Sequence, residues 1–416
     1  MSTAAPLVVP AFWHAHATHP DPHMALALAA AQIDAQAGAG RDRATLGWLY
    51  FSDRYAPHAE GLLAELRLRW PTVAWVGTVG VSICASGVEY DDEPALALML
   101  AALPPGSFTL YSGEHGLPAG GASDAVHAAL VHADGNMPEL GELIHELAGR
   151  TASGYLFGGL AASRTRAVQI CAPAPGAAWR GGVYEGGVSG VAFGAGVGLI
   201  SRVTQGCQPI GPSHRITACE QNVVLALDDE PALDVLLREL GITLDEPRLA
   251  LPVLRATLAG LSDAADENLS RGGQFGADTR VRHLIGLDPG RQGFAVADRV
   301  ETGMRLAFCQ RHVEAARRDL VRICAEIREE LCPEDPDAPP DPAAAADDPA
   351  SRVAGALYVS CNGRGGAHFG APSAELELIR HALGDVPLVG FFASGEIGRH
   401  HLYGYTGVLT VFTRRP

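Results

Sequence analysis

The spacing of apolar positions divides the chain into helix-like and strand-like segments. In residues 57–70 and 311–331, apolar side chains recur every three to four positions along one face, and in residues 311–331 charged residues fill most of the other positions. This period predicts amphipathic helices. The same reasoning predicts further helices in residues 23–38, 123–132, 138–148, 229–240 and 372–383.

Short apolar runs bounded by glycine or proline predict strands. Several such runs follow one another without a helix between them, as in residues 151–160, 167–171 and 187–193. Consecutive strands of this kind favour antiparallel pairing. We therefore expect an α+β protein of two mixed domains, residues 1–218 and 219–416, with largely antiparallel sheets flanked by helices. No internal repeat is evident in the sequence.

Residues 333–350 form a segment of distinct composition. The segment is rich in proline, aspartate and alanine and has almost no large apolar side chain. Such a composition cannot bury enough apolar surface to offset the entropy lost on ordering. We expect a disordered surface insertion that folding does not require.

The composition excludes several classes of function. The chain has 416 residues and a net charge of −16. It lacks the basic stripe of a nucleic-acid-binding protein, and its charge disfavours binding to an anionic membrane. It contains no lysine at all. A phosphate-binding loop lysine, a Schiff-base lysine and a pyridoxal phosphate attachment site are therefore excluded.

The cysteines and the first residues of the chain suggest where the protein is found. The eight cysteines are scattered, and none forms a Cys-x-x-Cys pair of the kind used in zinc ribbons or thioredoxins. Reduced, mostly buried thiols are typical of cytosolic proteins. The first residues show no basic segment followed by an apolar one, so we expect no signal peptide and a cytoplasmic location.

Two glycine-rich patches near the end of the sequence carry the candidate ligand-binding site. Its residues are Cys361, Asn362, Gly363, Arg364, Gly365, Phe391, Phe392, Gly395 and Glu396. Each patch sets one charged side chain, Arg364 or Glu396, at the end of an apolar run. If the two strands are neighbours, both side chains converge on one cleft, where polar groups would orient a small ligand.

We expect Arg364 to bind an anionic or carbonyl group through its planar fork of donors. Glu396 would then orient Arg364 or meet a cationic group, and one of the two phenylalanines would form an apolar wall, because alternation turns only one inward. The alternative is a purely structural Arg–Glu ion pair between two turns, and the pattern alone leaves it open.

Other candidate chemistry is weaker. Cys361 could act as a thiol nucleophile with its pKa lowered by Arg364, or be a structural thiol at a strand end. His14 and His16 have a spacing compatible with metal ligation, but the prolines around them argue against a fixed site, and we predict no metal. His400 and His401 follow Glu396 closely enough to reach the same site.

The patches resemble the C-terminal signatures of the FIST family, the F-box and intracellular signal transduction proteins. The resemblance rests on Cys361-Asn362-Gly363-Arg364-Gly365 and on residues 390–398. Upstream stretches agree in the same order and resemble FIST N and the start of FIST C; they are residues 77–80, 87–90, 94–96, 157–161, 186–192, 284–289 and 293–294. On this basis residues 1–218 are FIST N-like and residues 219–416 are FIST C-like.

The resemblance implies a cytosolic sensory protein that binds a small molecule and signals in trans to a partner such as a histidine kinase. No F-box-like region precedes the matching part, which disfavours a ubiquitin-ligase adaptor. Some FIST proteins are haem-binding nitric-oxide sensors, so such a sensor is the first alternative; no diagnostic haem motif occurs here, and we predict no cofactor. An enzyme using Cys361 or Glu396 is a further alternative to the non-enzymatic role that we expect.

Overall fold

A computed structural model describes residues 11–117, 126–263, 279–332 and 349–414. Its helices and largely antiparallel sheets confirm the predicted α+β class. By contacts the chain forms two compact units. Unit 1 comprises residues 1–204, 320–402 and 406–416, and unit 2 comprises residues 205–319 and 403–405. The proposed sequence division at residue 218 stays a prediction.

Seven α-helices lie in the described ranges. They are α1 (Pro22–Ala37), α2 (Ala59–Arg69), α3 (Leu140–Gly149), α4 (Ala232–Leu240), α5 (Pro247–Ala256), α6 (Val313–Leu331) and α7 (Ala374–Leu383). The start of α1 shows how the sequence places such an element. Asp21 caps it by accepting hydrogen bonds from the backbone of His23 and Met24, and Pro22 occupies the first turn, where its missing N–H is not needed.

The strands are numbered along the chain. They are β1 (Ala11–Thr18), β2 (Leu46–Ser52), β3 (Ala74–Gly80), β4 (Ile83–Ala85), β5 (Val88–Tyr90), β6 (Ala95–Ala102), β7 (Phe108–Ser112), β8 (Val126–Ala133), β9 (Tyr155–Leu160), β10 (Val168–Ala172), β11 (Gly182–Glu185), β12 (Val188–Gly194), β13 (Leu199–Thr204), β14 (Cys207–Pro209), β15 (His214–Glu220), β16 (Val223–Leu227), β17 (Glu230–Pro231), β18 (Leu258–Ser262), β19 (Arg280–Asp288), β20 (Gly293–Val296), β21 (Arg305–Arg311), β22 (Val353–Cys361), β23 (Leu388–Ala393), β24 (Glu396–Arg399), β25 (His401–Tyr403) and β26 (Gly407–Thr413).

Unit 1 is built from three six-stranded sheets of the same design. Their strand orders are β1-β6-β2-β3-β10-β11, β25-β24-β9-β8-β12-β7 and β13-β26-β22-β23-β4-β5. At the centre of each sheet lies one parallel pair, β2 with β3, β8 with β9, or β22 with β23. A helix joins each pair, namely α2, α3 or α7. The other printed pairings in these sheets are antiparallel.

The same order of elements occurs three times along the chain. Each repeat consists of an edge strand, a strand–helix–strand unit, a two-stranded hairpin and a closing strand. We name these repeats module 1 (β1–β6), module 2 (β7–β12) and module 3 (β13 with β22–β26). Each hairpin pairs with the sheet of another module: β4 with β23, β10 with β3, and β24 with β9. The modules are therefore interlocked in a cycle, although the sequence shows no evident repeat.

Three glycines mark the equivalent position of each parallel pair. Gly77, Gly158 and Gly390 lie opposite Leu49, Val131 and Tyr358, respectively. A Cβ at any of the three would lie 1.7–2.0 Å from the carbonyl oxygen of the residue opposite. Only glycine permits this close approach of two backbones. Three of the stretches that resemble FIST sequences thus each contain a glycine that the close approach of two parallel strands requires.

The three modules meet in an aromatic contact at the centre of unit 1. Tyr50 of module 1, His132 of module 2 and Phe391 of module 3 are all fully buried. The Tyr50 and Phe391 ring centroids are 5.0 Å apart, and each lies within 5.8 Å of the His132 ring. These contacts contribute both apolar burial and ring-pair energy to the core.

Unit 2 is a closed antiparallel barrel. The ring runs β21-β15-β16-β20-β19-β18 and closes because β18 pairs with both β19 and β21. Closure leaves no free edge among these strands. Its core includes Ile216, Phe294 and Phe308, and α4 adds Leu233 and Leu236.

The structure differs from the sequence prediction in one helix, and one predicted insertion lies largely outside the described residues. The helix predicted for residues 123–132 is wrong over its described part, because residues 126–133 form β8, whose parallel pairing with β9 overrides an ambiguous alanine-rich pattern. The insertion predicted for residues 333–350 lies outside the described residues as far as residue 348. The last two residues, 349 and 350, begin a short 3-10 turn.

Candidate ligand-binding site

The two predicted patches lie side by side. Cys361 ends β22 and pairs with Ala393, which ends the parallel strand β23. The backbone N–H of Arg364 donates to the Cys361 carbonyl at 2.7 Å, so the loop turns back over the strand end. The Asn362 N–H donates to the Ala393 carbonyl at 2.9 Å and ties the two loops together. The carboxyl ends of neighbouring parallel strands are where ligands bind in many open sheets.

Arg364 is paired with Glu375 of α7, and not with Glu396 as one expectation held. Its Nε and Nη2 donate to the same oxygen, Glu375 Oε1, at 2.8 and 2.6 Å. Arg364 is 1% exposed and Glu375 is 0% exposed. A loop and a short 3-10 turn, Gly366–Phe369, connect β22 to α7, and the first turn of α7 brings the Glu375 carboxylate to Arg364. The structural ion pair left open by the sequence is thus present, with another glutamate.

Glu375 also binds two hydroxyl groups of β22. The Tyr358 hydroxyl donates to Oε1 at 2.6 Å, and the Ser360 hydroxyl donates to Oε2 at 3.0 Å. Four donors on one carboxylate compensate the cost of removing its charge from water. The guanidinium of Arg364 also lies 5.0 Å from the ring centroid of Phe369. These contacts fix the position of Arg364 before any ligand arrives.

Two buried polar atoms at this site have no nitrogen or oxygen partner among the described residues. They are Nη1 of Arg364 and Oε1 of Glu396. The other oxygen of Glu396 accepts from Thr406, from the backbone N–H at 3.1 Å and from the hydroxyl at 2.8 Å. A buried polar atom without a partner is uncommon in a native fold. Arg364 therefore offers one remaining donor, and Glu396 one remaining oxygen.

Glu396 lies in a setting that favours its neutral form. Burial raises its pKa to about 8, although hydrogen bonds from Thr406, the charge of Arg364 and the Cys361 thiol act in the opposite direction. Loss of hydration disfavours the carboxylate, and one nearby cation already shared with Glu375 does not compensate. At neutral pH most Glu396 side chains are carboxylic acids.

The hairpin contributed by module 1 completes the site. Glu89 of β5 accepts a hydrogen bond from the backbone N–H of Gly366 at 3.2 Å and so holds the end of the loop. Burial, followed by the charge of Glu375, raises the pKa of Glu89 to about 8. Asp91 accepts from the Ser82 hydroxyl at 2.6 Å. The site thus contains several carboxyl groups around one arginine.

The two phenylalanines point in opposite directions, as alternation predicts. Phe391 packs against Tyr50 and His132 in the centre of unit 1. Phe392 lies under the loop, where a Cβ on Gly365 would approach its ring to 3.0 Å. Gly395 is equally confined, since a Cβ there would lie 3.0 Å from the side chains of Leu160 and Leu402. The apolar wall beneath the loop is therefore Phe392.

The remaining predicted residues are less buried than Arg364 and Glu396. Cys361 and Gly363 are half-buried, and Asn362 is exposed. His400 contacts the ring of His401 and that of His145 on α3. Within the described ranges, no three His, Cys, Asp or Glu side chains are grouped so that they could hold a metal ion. None of the helices described is both long and apolar enough to cross a membrane.

Sequence reasoning missed Glu375 and Glu89 as members of the site. An acidic residue in the first turn of a helix, such as Glu375, is ordinarily explained by the helix dipole. Glu89 lies 277 positions from the Gly366 N–H that it binds. The only sequence signal for Glu89 was its place in a stretch that resembles FIST N.

Comparison with known proteins gives the family. The family model described as FIST N domain matches residues 45–230, and that described as FIST C domain matches residues 232–399. An uncharacterised protein of Mycobacterium tuberculosis is 32% identical over 412 aligned positions, which cover 95% of this chain and 97% of the relative. An uncharacterised protein of Mycobacterium bovis is 30% identical over 440 aligned positions, with the same coverage.

The chain belongs to the FIST family. FIST domains are sensory domains of signal transduction. The loop and strand ends described above contain the residues that resemble the FIST C-terminal signatures.

Proposed function

We propose that this protein is a small-ligand-binding sensory protein whose ligand contacts Arg364 and Glu396, and which signals to a separate partner protein. The observation that carries the proposal is a pair of buried atoms that have no hydrogen-bond partner in the part of the chain that the structure describes, Nη1 of Arg364 and Oε1 of Glu396. Both lie in the stretches that resemble the FIST C-terminal signatures. A ligand that satisfies them would recover interactions that folding leaves unmade.

The chemistry of these atoms indicates the class of ligand. Arg364 offers an N–H donor, and Glu396 in its neutral form offers an O–H donor. The N–H of Arg364 and the O–H of neutral Glu396 are both donors, so they suit a ligand with acceptor oxygens, such as a small carboxylate or carbonyl compound. A positively charged ligand fits them less well. Because Arg364 and Glu396 are at most 1% exposed, only a compact group reaches them without opening the loop.

The experiment is native mass spectrometry of the purified protein, which would retain a bound small molecule as a mass adduct. We expect the adduct on the wild type and its loss from Arg364→Lys, because the three donors of an ammonium radiate from one nitrogen and cannot reproduce a planar fork that contacts Glu375 through Nε and Nη2 and presents Nη1 to a ligand. Arg280→Lys is the matched control, since Arg280 is also a largely buried arginine paired with an aspartate, Asp263, elsewhere in the chain. An adduct that persists in Arg364→Lys contradicts the proposal.

A second test uses affinity. Loss of one charge-assisted hydrogen bond should weaken binding by about 2 kcal/mol, or roughly 30-fold. Isothermal titration of the wild type and Arg364→Lys with acetate, pyruvate and benzoate measures this difference directly. Equal affinities for every probe that binds would place the site elsewhere.

A further inference from the structure

The cysteines of the chain fall into two groups by accessibility. Five are buried, namely Cys84, Cys171, Cys207, Cys309 and Cys324. Three are half-buried: Cys219, Cys332 and Cys361. Reaction with a solute requires both access and a thiolate, so only the second group is relevant. Within that group, Cys361 has the most distinctive surroundings.

Cys361 lies between a cation and an acid. The loop that begins at Cys361 returns Arg364 to it through a 2.7 Å backbone hydrogen bond, and the two side chains interact electrostatically. On the other side, the thiol lies close enough to the carboxyl group of Glu396 to lower its pKa. Arg364 is almost fully buried and keeps one donor, Nη1, without a partner in the described ranges. A thiol beside a base and a guanidinium is the usual setting of a reactive cysteine.

Cys219 provides the contrast. Its sulfur lies 3.4 Å from the carbonyl oxygen of Val300 and 3.8 Å from the hydroxyl of Thr302. Neither neighbour carries a charge or can take up the thiol proton efficiently. Cys219 is thus half-buried like Cys361, but its surroundings differ in chemistry.

We propose that Cys361 is a peroxide-sensing thiol that hydrogen peroxide oxidises to a sulfenic acid with the help of Glu396 and Arg364. The inference rests on the proposed sensory function for its biological role and on the geometry of the loop for its chemistry. The Glu396 carboxyl group and the Arg364 guanidinium are almost entirely buried, so only a very small molecule can reach them. Hydrogen peroxide meets this requirement because it has only two heavy atoms.

The reaction needs only Cys361, Glu396, Arg364 and one molecule of hydrogen peroxide. The Cys361 thiol gives its proton to the Glu396 carboxylate, and the thiolate sulfur attacks one peroxide oxygen. The S–O bond forms as the O–O bond breaks. The departing hydroxide takes the proton from Glu396 and leaves as water. Sulfur loses two electrons, the peroxide gains them, and the products are Cys361 sulfenic acid and water.

Arg364 acts on the charges that develop in this step. Its Nη1–H can donate to the thiolate and then to the sulfenate oxygen, and both anions are stabilised by a fixed donor in a poorly hydrated site. Arg364, Cys361 and the neutral Thr406 are the groups that act on Glu396. The rate should rise with pH through about 8, because deprotonation of Glu396 supplies the base.

The experiment exposes the wild-type protein to hydrogen peroxide in the presence of dimedone, which traps sulfenic acids. Peptide mass spectrometry then gives the rate at each cysteine of the same chain. We expect Cys361 to react at least about tenfold faster than Cys219 and Cys332. Equal rates at the three cysteines would overturn the inference, and this comparison needs no variant.

A variant then tests the role of the acid. Glu396→Gln should lower the rate at Cys361 by at least about tenfold and leave the rate at Cys219 unchanged. An unchanged rate at Cys361 would remove Glu396 from the reaction. Melting curves establish that the variant is folded, and glutamine is expected to fit because Gln169 occupies the equivalent place in module 2.

The outcome is separable from that of the proposed function. Cys361→Ser removes the thiol but keeps both Arg364 and Glu396. If Cys361 is oxidised no faster than Cys219 and Cys332, and Cys361→Ser retains the ligand adduct, the thiol chemistry is rejected and the ligand site stands. If Cys361 is oxidised fastest and the wild type carries no adduct, the peroxide-sensing role is supported and the reversible ligand is rejected.

Discussion

Glu396 occupies in module 3 the position that Gln169 occupies in module 2. Glu396 pairs across the sheet with Gly159, and Gln169 pairs with Thr78. Gly159 directly follows the close-approach glycine Gly158, and Thr78 directly follows Gly77. The side chains of Glu396 and Gln169 are both fully buried. Gln169 donates to the Gly187 carbonyl at 3.1 Å, and Glu396 accepts from Thr406, the residue just before the closing strand. A neutral Glu396 thus has nearly the shape of the amide in its counterpart.

Glu396→Gln should remove a pH dependence of stability. The folded-state pKa of Glu396 is raised from 4.5 to about 8, so its contribution is complete below 4.5 and is lost as pH rises to about 8. The stability of the variant relative to the wild type should therefore increase between pH 5 and 8, at up to about 1.4 kcal/mol per pH unit, and then level off. Urea denaturation at several pH values measures it.

Gln169→Glu is the matched control for this prediction. It places a carboxyl group at the equivalent buried position and should create the dependence that Glu396→Gln removes. Glu89, whose pKa is also raised to about 8, is unchanged in both variants and contributes equally. A difference between Glu396→Gln and the wild type that does not vary with pH would mean that Glu396 is ionised in the folded protein.

Removal of one partner of the Arg364–Glu375 pair should be severe. Glu375→Gln leaves a buried guanidinium without its countercharge, and we expect a loss of about 3–5 kcal/mol in the free energy of unfolding. Glu377→Gln, which breaks an exposed pair with Arg380 on the same helix, should cost less than about 1 kcal/mol. Denaturation curves of the two variants compare them, and similar losses would show that the buried pair is not tightly coupled.

His132 should make the protein sensitive to acid. Burial lowers its pKa from 6.5 to about 3, so the unfolded chain takes up a proton between these values and the folded chain does not. The contribution of His132 to stability is thus lost as pH falls from about 6.5 to 3. His132→Phe should flatten part of the acid limb of a stability profile, whereas His127→Phe, at a half-buried position of the same strand, should not. The NMR signals of His132 should show a neutral ring at pH 5.

The three equivalent glycines should be equally intolerant of a side chain. Gly77→Ala, Gly158→Ala and Gly390→Ala each force a methyl group into a backbone carbonyl of the paired strand. We expect loss of soluble protein in each case. Gly141→Ala is the control, because Gly141 has open space around its Cβ position and lies within α3, where alanine should add about 0.5–1 kcal/mol. One tolerated variant among the three would break the equivalence of the modules.

The fold was predictable where a local pattern dominates. The stripe of α6 and the apolar runs of β10 and β12 predict these elements at nearly their observed bounds. The β8 segment was not, because alanine-rich sequence fits either period and its partner β9 decides. The threefold repeat was invisible because the modules share backbone geometry, while Leu49, Val131 and Tyr358 differ at one equivalent position.

The site was predictable only in part. The glycine-rich patches indicated Arg364 and Glu396, and the parallel strands bring them to one edge. The partner of Arg364 could not be predicted, since Glu375, Glu89 and Glu396 are all acidic residues and the tertiary arrangement selects among them. The lack of a partner for Nη1 of Arg364 and Oε1 of Glu396 within the described ranges also depends on the tertiary arrangement, which the sequence pattern does not give.

The most direct test of the ligand site observes Arg364 itself. Its guanidinium N–H signals can be followed in ¹⁵N NMR spectra of the wild type, assigned by comparison with Arg364→Lys, while acetate or pyruvate is added. The account predicts that an Nη1 signal of Arg364 shifts with saturation, while the Nε signal, held by Glu375, changes little. Saturable shifts at other arginines with no change at Arg364 would contradict it.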